Sequence, residues 1–137
     1  MKKPASLRAA IEGAVPELAT DKERLLAFID NGSIVCTGVE SRSFEWRYTM
    51  NLIITDYAGD PNRLWLALLD WVRVNQSPLL AGPSLQEQIR FEVDILADDK
   101  VDLDIKLPLT ENVVVDSDDD GNETASPVDE PVPAWMS

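Results

Sequence analysis

Hydrophobic positions early in the chain recur at helical spacing. Leu7, Ala10, Ile11, Ala14 and Leu18 step by three and four, with Arg8 and Glu12 opposite, which makes one amphipathic face. Pro16 should end that helix, and Thr20-Asp21-Lys22-Glu23 has capping-box spacing for a short helical turn before the apolar run Leu25 to Ile29. Asn31-Gly32, between Phe28-Ile29 and Ile34-Val35, reads as a hairpin turn, with a bulge in one longer strand as the competing reading. Phe44, Trp46, Tyr48, Met50, Leu52 and Ile54 alternate with Glu45, Arg47, Thr49 and Asn51, so a strand with one apolar face is expected. Asp60-Pro61 supplies a cap and a first-turn proline for a helix through Leu64, Trp65, Leu68, Trp71 and Val72 to about Asn75. Ile89, Phe91, Val93, Ile95 and Ala97, then Val101, Leu103, Ile105 and Leu107, alternate as two strands of one hairpin, and Val113 to Val115 fits a short edge strand. The order predicts an α+β domain with both longer helices on one face of a mainly antiparallel sheet.

Charge divides this picture into two parts. Of the 25 acids, seven fall between Asp116 and Ser137, where there is no base, and that stretch also holds Pro127, Pro131 and Pro133. It lacks apolar periodicity, so residues 116–137 are expected to be a disordered acidic segment tipped by Trp135 and Met136, following a domain over residues 1–115. The whole chain of 137 residues has a net charge of −13, which opposes a sequence-independent grip on phosphate backbones. It has no histidine, which removes imidazole relays and imidazole metal ligands. The single cysteine, Cys36, permits no intrachain disulfide and, lying in an apolar strand, reads as core. No signal-peptide core and no apolar run near the roughly 18 residues of a membrane span is present, so a soluble chain made in the cytoplasm is expected, without membrane partners.

Two surface features merit a functional reading. If Ala97 pairs with Val101 across the last hairpin, Glu92 faces Lys106, Asp94 faces Asp104 and Leu96 faces Asp102. Two aspartates then oppose each other beside Asp98, Asp99 and Asp102, at a cost to strand pairing. That acidic face is a solvated strand surface, a cation or dyad site, or a surface past which DNA moves without sticking. On the helix from Pro61, Leu66 falls among Arg63, Asp70 and Arg73 on the side away from the buried stripe, where a neighbouring subunit would dock. Asp116-Ser117-Asp118-Asp119-Asp120-Gly121 fits the start of a calcium loop, but Pro127 stands where the closing glutamate belongs, so no cofactor or metal is expected. No catalytic constellation emerges. Two further functions remain: an acidic mimic that binds a basic protein, and a carboxylate hydrolase built on Asp94 and Asp104.

Longer stretches carry a resemblance. Lys2-Lys3-Pro4-Ala5-Ser6-Leu7-Arg8, Leu26-Ala27-Phe28-Ile29-Asp30 to Gly32, Phe44-Glu45-Trp46-Arg47-Tyr48-Thr49 into Ile54-Thr55-Asp56-Tyr57-Ala58-Gly59, Trp71-Val72-Arg73-Val74-Asn75-Gln76, and Phe91-Glu92-Val93-Asp94-Ile95-Leu96 through Ile105-Lys106-Leu107-Pro108-Leu109-Thr110-Glu111 follow one another in order. Together they closely resemble the tail completion protein R family of Peduovirus-like contractile-tailed phages, over about Met1 to Val115. The resemblance implies a non-enzymatic virion protein acting late in tail assembly. By analogy with tail terminators it implies a ring, of six copies, on the head-proximal end of tube and sheath, where it stops polymerisation and meets the neck. The location implied is the virion tail, after assembly in the host cytoplasm. In such a ring Asp94, Asp98, Asp99, Asp102 and Asp104 would line the opening.

Overall fold

The computed structural model describes residues 1–38, 42–76, 78, 88–96 and 99–128. The elements are α1 (Lys3–Ala14), α2 (Pro16–Thr20), a 3-10 turn over Lys22–Arg24, β1 (Leu25–Cys36), β2 (Phe44–Tyr57), α3 (Pro61–Asn75), β3 (Arg90–Ile95), β4 (Val101–Ser117) and β5 (Glu123–Val128). All strand pairings are antiparallel, in the order β1-β2-β4-β3, with β5 also on β4. The α+β expectation, with helices on one face of the sheet, holds.

The periodicities explain the packing. Leu7 and Ile11 of α1, Leu18 of α2, and Leu64, Leu68, Trp71 and Val72 of α3 are buried against Tyr48, Met50, Leu52 and Ile54 of β2 and Leu103, Ile105, Leu107 and Leu109 of β4. The alternation of the strands places these on one face because successive strand residues point to opposite sides. Pro16 breaks the first helix by restarting it: α1 stops at Ala14 and Pro16 takes the first position of α2. Asp60 caps α3 as expected, its side chain accepting from the Asn62 amide at 3.0 Å. Two contacts tie α3 to α1: Trp71 Nε1 donates to Ser6 Oγ at 2.9 Å, and Arg63 Nη2 donates to the Ala14 carbonyl at 2.9 Å.

Five expectations are corrected. Asn31-Gly32 is not a turn, and the competing reading holds: β1 runs through it as one strand with a bulge between Ile29 and Asn31. Gly32 is needed there for close approach, since a Cβ would sit 2.9 Å from the Arg47 carbonyl oxygen. Second, the last hairpin is slipped by two residues: Glu92 faces Asp104, Asp94 faces Asp102 and Ile95 faces Val101. The Leu96 amide donates to the Lys100 carbonyl, and Asp99 takes a left-handed φ of 61° in the turn. A slip of two leaves every side chain on its expected face.

Third, β4 is continuous across Pro108 to Ser117, so Val113 to Val115 belong to it. The Thr110 amide points away from β2, to Gln76 Oε1 at 3.1 Å, and Pro108 shares that direction. Its missing N–H therefore faces a stretch of β4 edge that neither β3 nor β5 pairs, where proline costs no ladder bond. Fourth, the segment from Asp116 is structured as far as Val128. Asn112 to Ser117 pair with Glu123 to Val128 through a turn in which Asp118 Oδ1 accepts from the amides of Asp120 (3.0 Å) and Asn122 (2.8 Å). Backbone pairing to an open edge orders β5 without burying it. Trp135, Met136 and the rest of residues 129–137 lie outside the described residues. Cys36, expected in the core, is exposed near the end of β1.

Candidate functional site

Leu66, Asp70 and Arg73 project from the exposed side of α3, with Leu66 61% exposed, as the helical projection requires. Arg63 is committed elsewhere: besides Ala14, it lies 3.6 Å from Glu17, so it clamps the end of α1 to α2. On the β3 flank of α3, Trp65 packs against Phe91 in a tilted arrangement with ring centroids 5.2 Å apart. Phe91, Val93 and Ile95 share the helix-side face of β3 and remain exposed.

The acidic residues sit on the opposite face of the sheet. Glu92 and Asp94 of β3 stand beside Asp104 and Asp102 of β4, two acid–acid cross-strand pairs instead of the single one expected. Asp102 Oδ1 accepts from the Asp56 amide at 2.9 Å, at the point where β2 breaks register and Asp56 takes φ 53°. Asp99 lies in the turn, and Asp98 lies outside the described residues. One row further along, Arg90 faces Lys106, which lies 3.3 Å from Asp30 at the β1 bulge. The acids therefore concentrate at the hairpin end of that face. Among the described residues no cluster of three or more metal-ligating side chains is present, and the calcium-like stretch is a hairpin turn. The backbone and side chain of Asn122 donate to Asp118, which holds its carboxyl below the ordinary value.

Asp104 is placed where both charge and hydrogen bonding work against it. Among the described residues its Oδ1 is buried without a donor, as is Asn51 Oδ1 on the neighbouring strand, while Glu92 stands opposite. Like charges across a strand pair and an unsatisfied carboxylate oxygen both oppose folding. Asp104→Asn is expected to stabilise the chain by about 1 kcal/mol in urea unfolding. An unchanged or lower midpoint would show that Asp104 is satisfied by water.

A second polar cluster escaped the sequence reading. Thr110, in the unpaired stretch of β4, has both backbone groups met by side chains: its amide by Gln76 Oε1, and its carbonyl by Lys3 Nζ at 2.5 Å. Lys3 Nζ also donates to Gln76 Oε1 at 2.6 Å, and Gln76 Nε2 to Thr110 Oγ1 at 3.0 Å. Beside it, Glu111 Oε1 accepts from the backbone amides of Lys2 (2.6 Å) and Lys3 (3.3 Å), and Oε2 accepts from Tyr48 O–H at 2.6 Å. Glu111 thus places a carboxylate at the positive end of α1. Burial, with that hydrogen bond and the Glu111 charge adding to it, pushes the Tyr48 phenol far above its ordinary value. The signal was present: Glu111 continues the inward register of Leu103, Ile105, Leu107 and Leu109, so a carboxylate was bound to be buried there. The cluster holds structure together and presents no reacting group.

Comparison with known proteins gives this architecture a family. Residues 1–131 match the family of the P2 phage tail completion protein R (GpR). The chain is 42% identical over 134 residues, 97% of its own length and 86% of the relative's, to Tail completion protein R of Escherichia phage P2. No solved structure matches it. Both the length of the match and the level of identity place the chain in the P2 phage tail completion protein R family.

Proposed function

We propose that this protein completes the tail of a contractile-tailed phage as a closed ring at its head-proximal end, halting tube and sheath growth and offering a surface to the neck. The observation that carries this is the near full-length identity to a tail completion protein. The partners are other copies of the chain, six to a ring, together with tube, sheath and neck proteins. Its place is the virion tail, after assembly in the host cytoplasm, and its role is structural.

The exposed side of α3 suits a subunit contact, since Leu66 offers apolar area between the charges of Asp70 and Arg73. Arg63 contributes by holding α1 and α2 against that helix. The hairpin end carrying Asp94, Asp99, Asp102 and Asp104, with Glu92, suits the rim of the opening. Clustered carboxylates there would repel passing phosphates over about one Debye length, roughly 8 Å at physiological salt.

The test supplies this chain to a related phage lacking its own tail completion protein. Tails of normal length joined to heads are expected, whereas overlong or headless tails would refute the reading. Leu66→Asp is expected to unfold within about 0.5 kcal/mol of the unmodified chain, as exposed substitutions do, yet fail to complete tails. Normal completion by that variant would exclude this side of α3 from the contact.

A further inference from the structure

Among the described residues the sheet is bounded by β1 on one side and by β3 and β5, both paired to β4, on the other, and the β1 and β3 edges differ in character. Among the described residues, β1 pairs only with β2, and β3 only with β4. β1 is 12 residues long and contains neither lysine nor proline, two of the usual protections against edge pairing; its interruptions are the bulge and Asp30, which is already paired with Lys106. Both edges carry exposed apolar side chains on the helix-side face. Ile29 and Ile34 of β1 share the face of Met50 and Trp46, and Phe91, Val93 and Ile95 of β3 share that of Ile105, Leu103 and Val101. Ile95 is 83% exposed, an unusual level for isoleucine in a strand.

Strand direction relates the two edges. Each neighbour in β1-β2-β4-β3 is antiparallel to the next, so the two outer strands run in opposite directions. A second copy in the same orientation, related by an axis tilted to the strands so that it is also shifted along them, therefore presents its β1 antiparallel to β3 of the first, with both helix layers on the same side. We propose that copies of this chain join head to tail through these edges, β1 of one pairing with β3 of the next, so that the sheet continues from subunit to subunit. The inference rests on the self-assembly reading above and names its contact.

Charge selects this pairing over the symmetric one at β3. Two β3 edges together would set Glu92 and Asp94 beside their own copies, next to Asp102 and Asp104. The corresponding positions of β1 are Leu26, Phe28, Asn31, Ser33 and Val35, none of them charged. β1 is therefore the neighbour that the acidic edge tolerates. Leu66 and Leu69 on the adjoining side of α3 extend the apolar strip beside Trp65 and Phe91. Because the contact uses two different surfaces of each copy, it closes into a ring if the rotation permits.

Light scattering on purified variants tests the idea. Ile34→Lys blocks the β1 edge and Ile95→Lys the β3 edge, both at exposed positions where folding should persist. Leu26→Lys and Val93→Lys serve as a second pair should either fail to fold. The unmodified chain should assemble, each single variant should run at the monomer mass of 15.2 kDa, and an equal mixture should give heterodimers at twice that mass, since each retains one intact edge. A mixture that stays monomeric overturns the pairing. So does Ile95→Lys assembling normally while Ile34→Lys does not, which would mean β1 pairs with itself. An unmodified chain that stays monomeric at its highest soluble concentration overturns it as well. If that monomeric chain still completes tails, the edge contact alone has failed; if the unmodified chain instead forms rings but completes no tails, the tail role alone has failed.

Discussion

Replacing Glu111 with alanine should lower the free energy of unfolding by about 3 kcal/mol, a large fraction of what holds a domain of this size. Three donors lose their acceptor together: the amides of Lys2 and Lys3 and the hydroxyl of Tyr48, at 2.6, 3.3 and 2.6 Å. Tyr48 is only 5% exposed, so water has little access to replace the carboxylate there. The first turn of α1 also loses the negative charge that complements its dipole. Glu111→Gln, which keeps an oxygen for the amides, should cost about 1 kcal/mol. Urea denaturation of the two variants measures the difference. A loss below about 1 kcal/mol for the alanine variant would mean that α1 finds another cap. The consequence reaches the assembly surface, because α1 is bonded to α3 through Ser6 and Ala14, and α3 carries Leu66.

Features governed by local chemistry were legible in the sequence. Asp60-Pro61 capped α3 as expected, and its apolar stripe placed Leu64, Leu68, Trp71 and Val72 inside and Leu66 outside. The alternation of β2 and the facing of β3 against β4 followed from period two, which a slip of two residues preserves. What failed depended on long-range contacts. A glycine after asparagine signals a turn only if positive φ is the reason for it, and Gly32 is present for close contact with β2. Val113 to Val115 read as a separate edge strand, whereas β4 runs on to them because the Pro108 nitrogen faces the stretch of edge that β3 and β5 leave, and that follows from where those strands attach. The acid count from Asp116 onward weighed side-chain burial, whereas β5 is held by backbone pairing and by Asp118 folding the turn.

The candidate surfaces divide in the same way. Leu66, Asp70 and Arg73 were placed correctly by helical geometry, while the role of Arg63 depended on where α1 ends. The acidic hairpin face was legible, but its cross-strand partners were not: Asp104 opposes Glu92, and Asp102 is engaged by the Asp56 amide. The apolar edge became visible only with the sheet order, since Phe91, Val93 and Ile95 alternate like core residues yet lie exposed on an outer strand.

Stability should fall steeply in alkaline solution, and the cause lies in the two tyrosines. Burial is the main reason that Tyr48 and Tyr57 hold their protons more tightly in the folded chain than at the ordinary 10.0. For Tyr48 the hydrogen bond to Glu111 and its charge add to this; for Tyr57, Glu17 and Asp60 add to it while Arg63 opposes. Below about pH 10 folded and unfolded chains both keep the phenol protons, so the tyrosines contribute no pH dependence. Above it the unfolded chain releases them first, and unfolding becomes easier by up to about 1.4 kcal/mol per pH unit for each tyrosine. Tyr48 alone should therefore account for a loss of about 1.4 kcal/mol by about pH 11, with Tyr57 acting in the same direction. Urea unfolding between about pH 9 and pH 11 would show the slope. Tyr48→Phe, less stable near neutrality because Glu111 loses a donor, should lose less on the way to pH 11 than the unmodified chain. Equal slopes for the two proteins would mean that Tyr48 ionises in the folded state as readily as in the unfolded one.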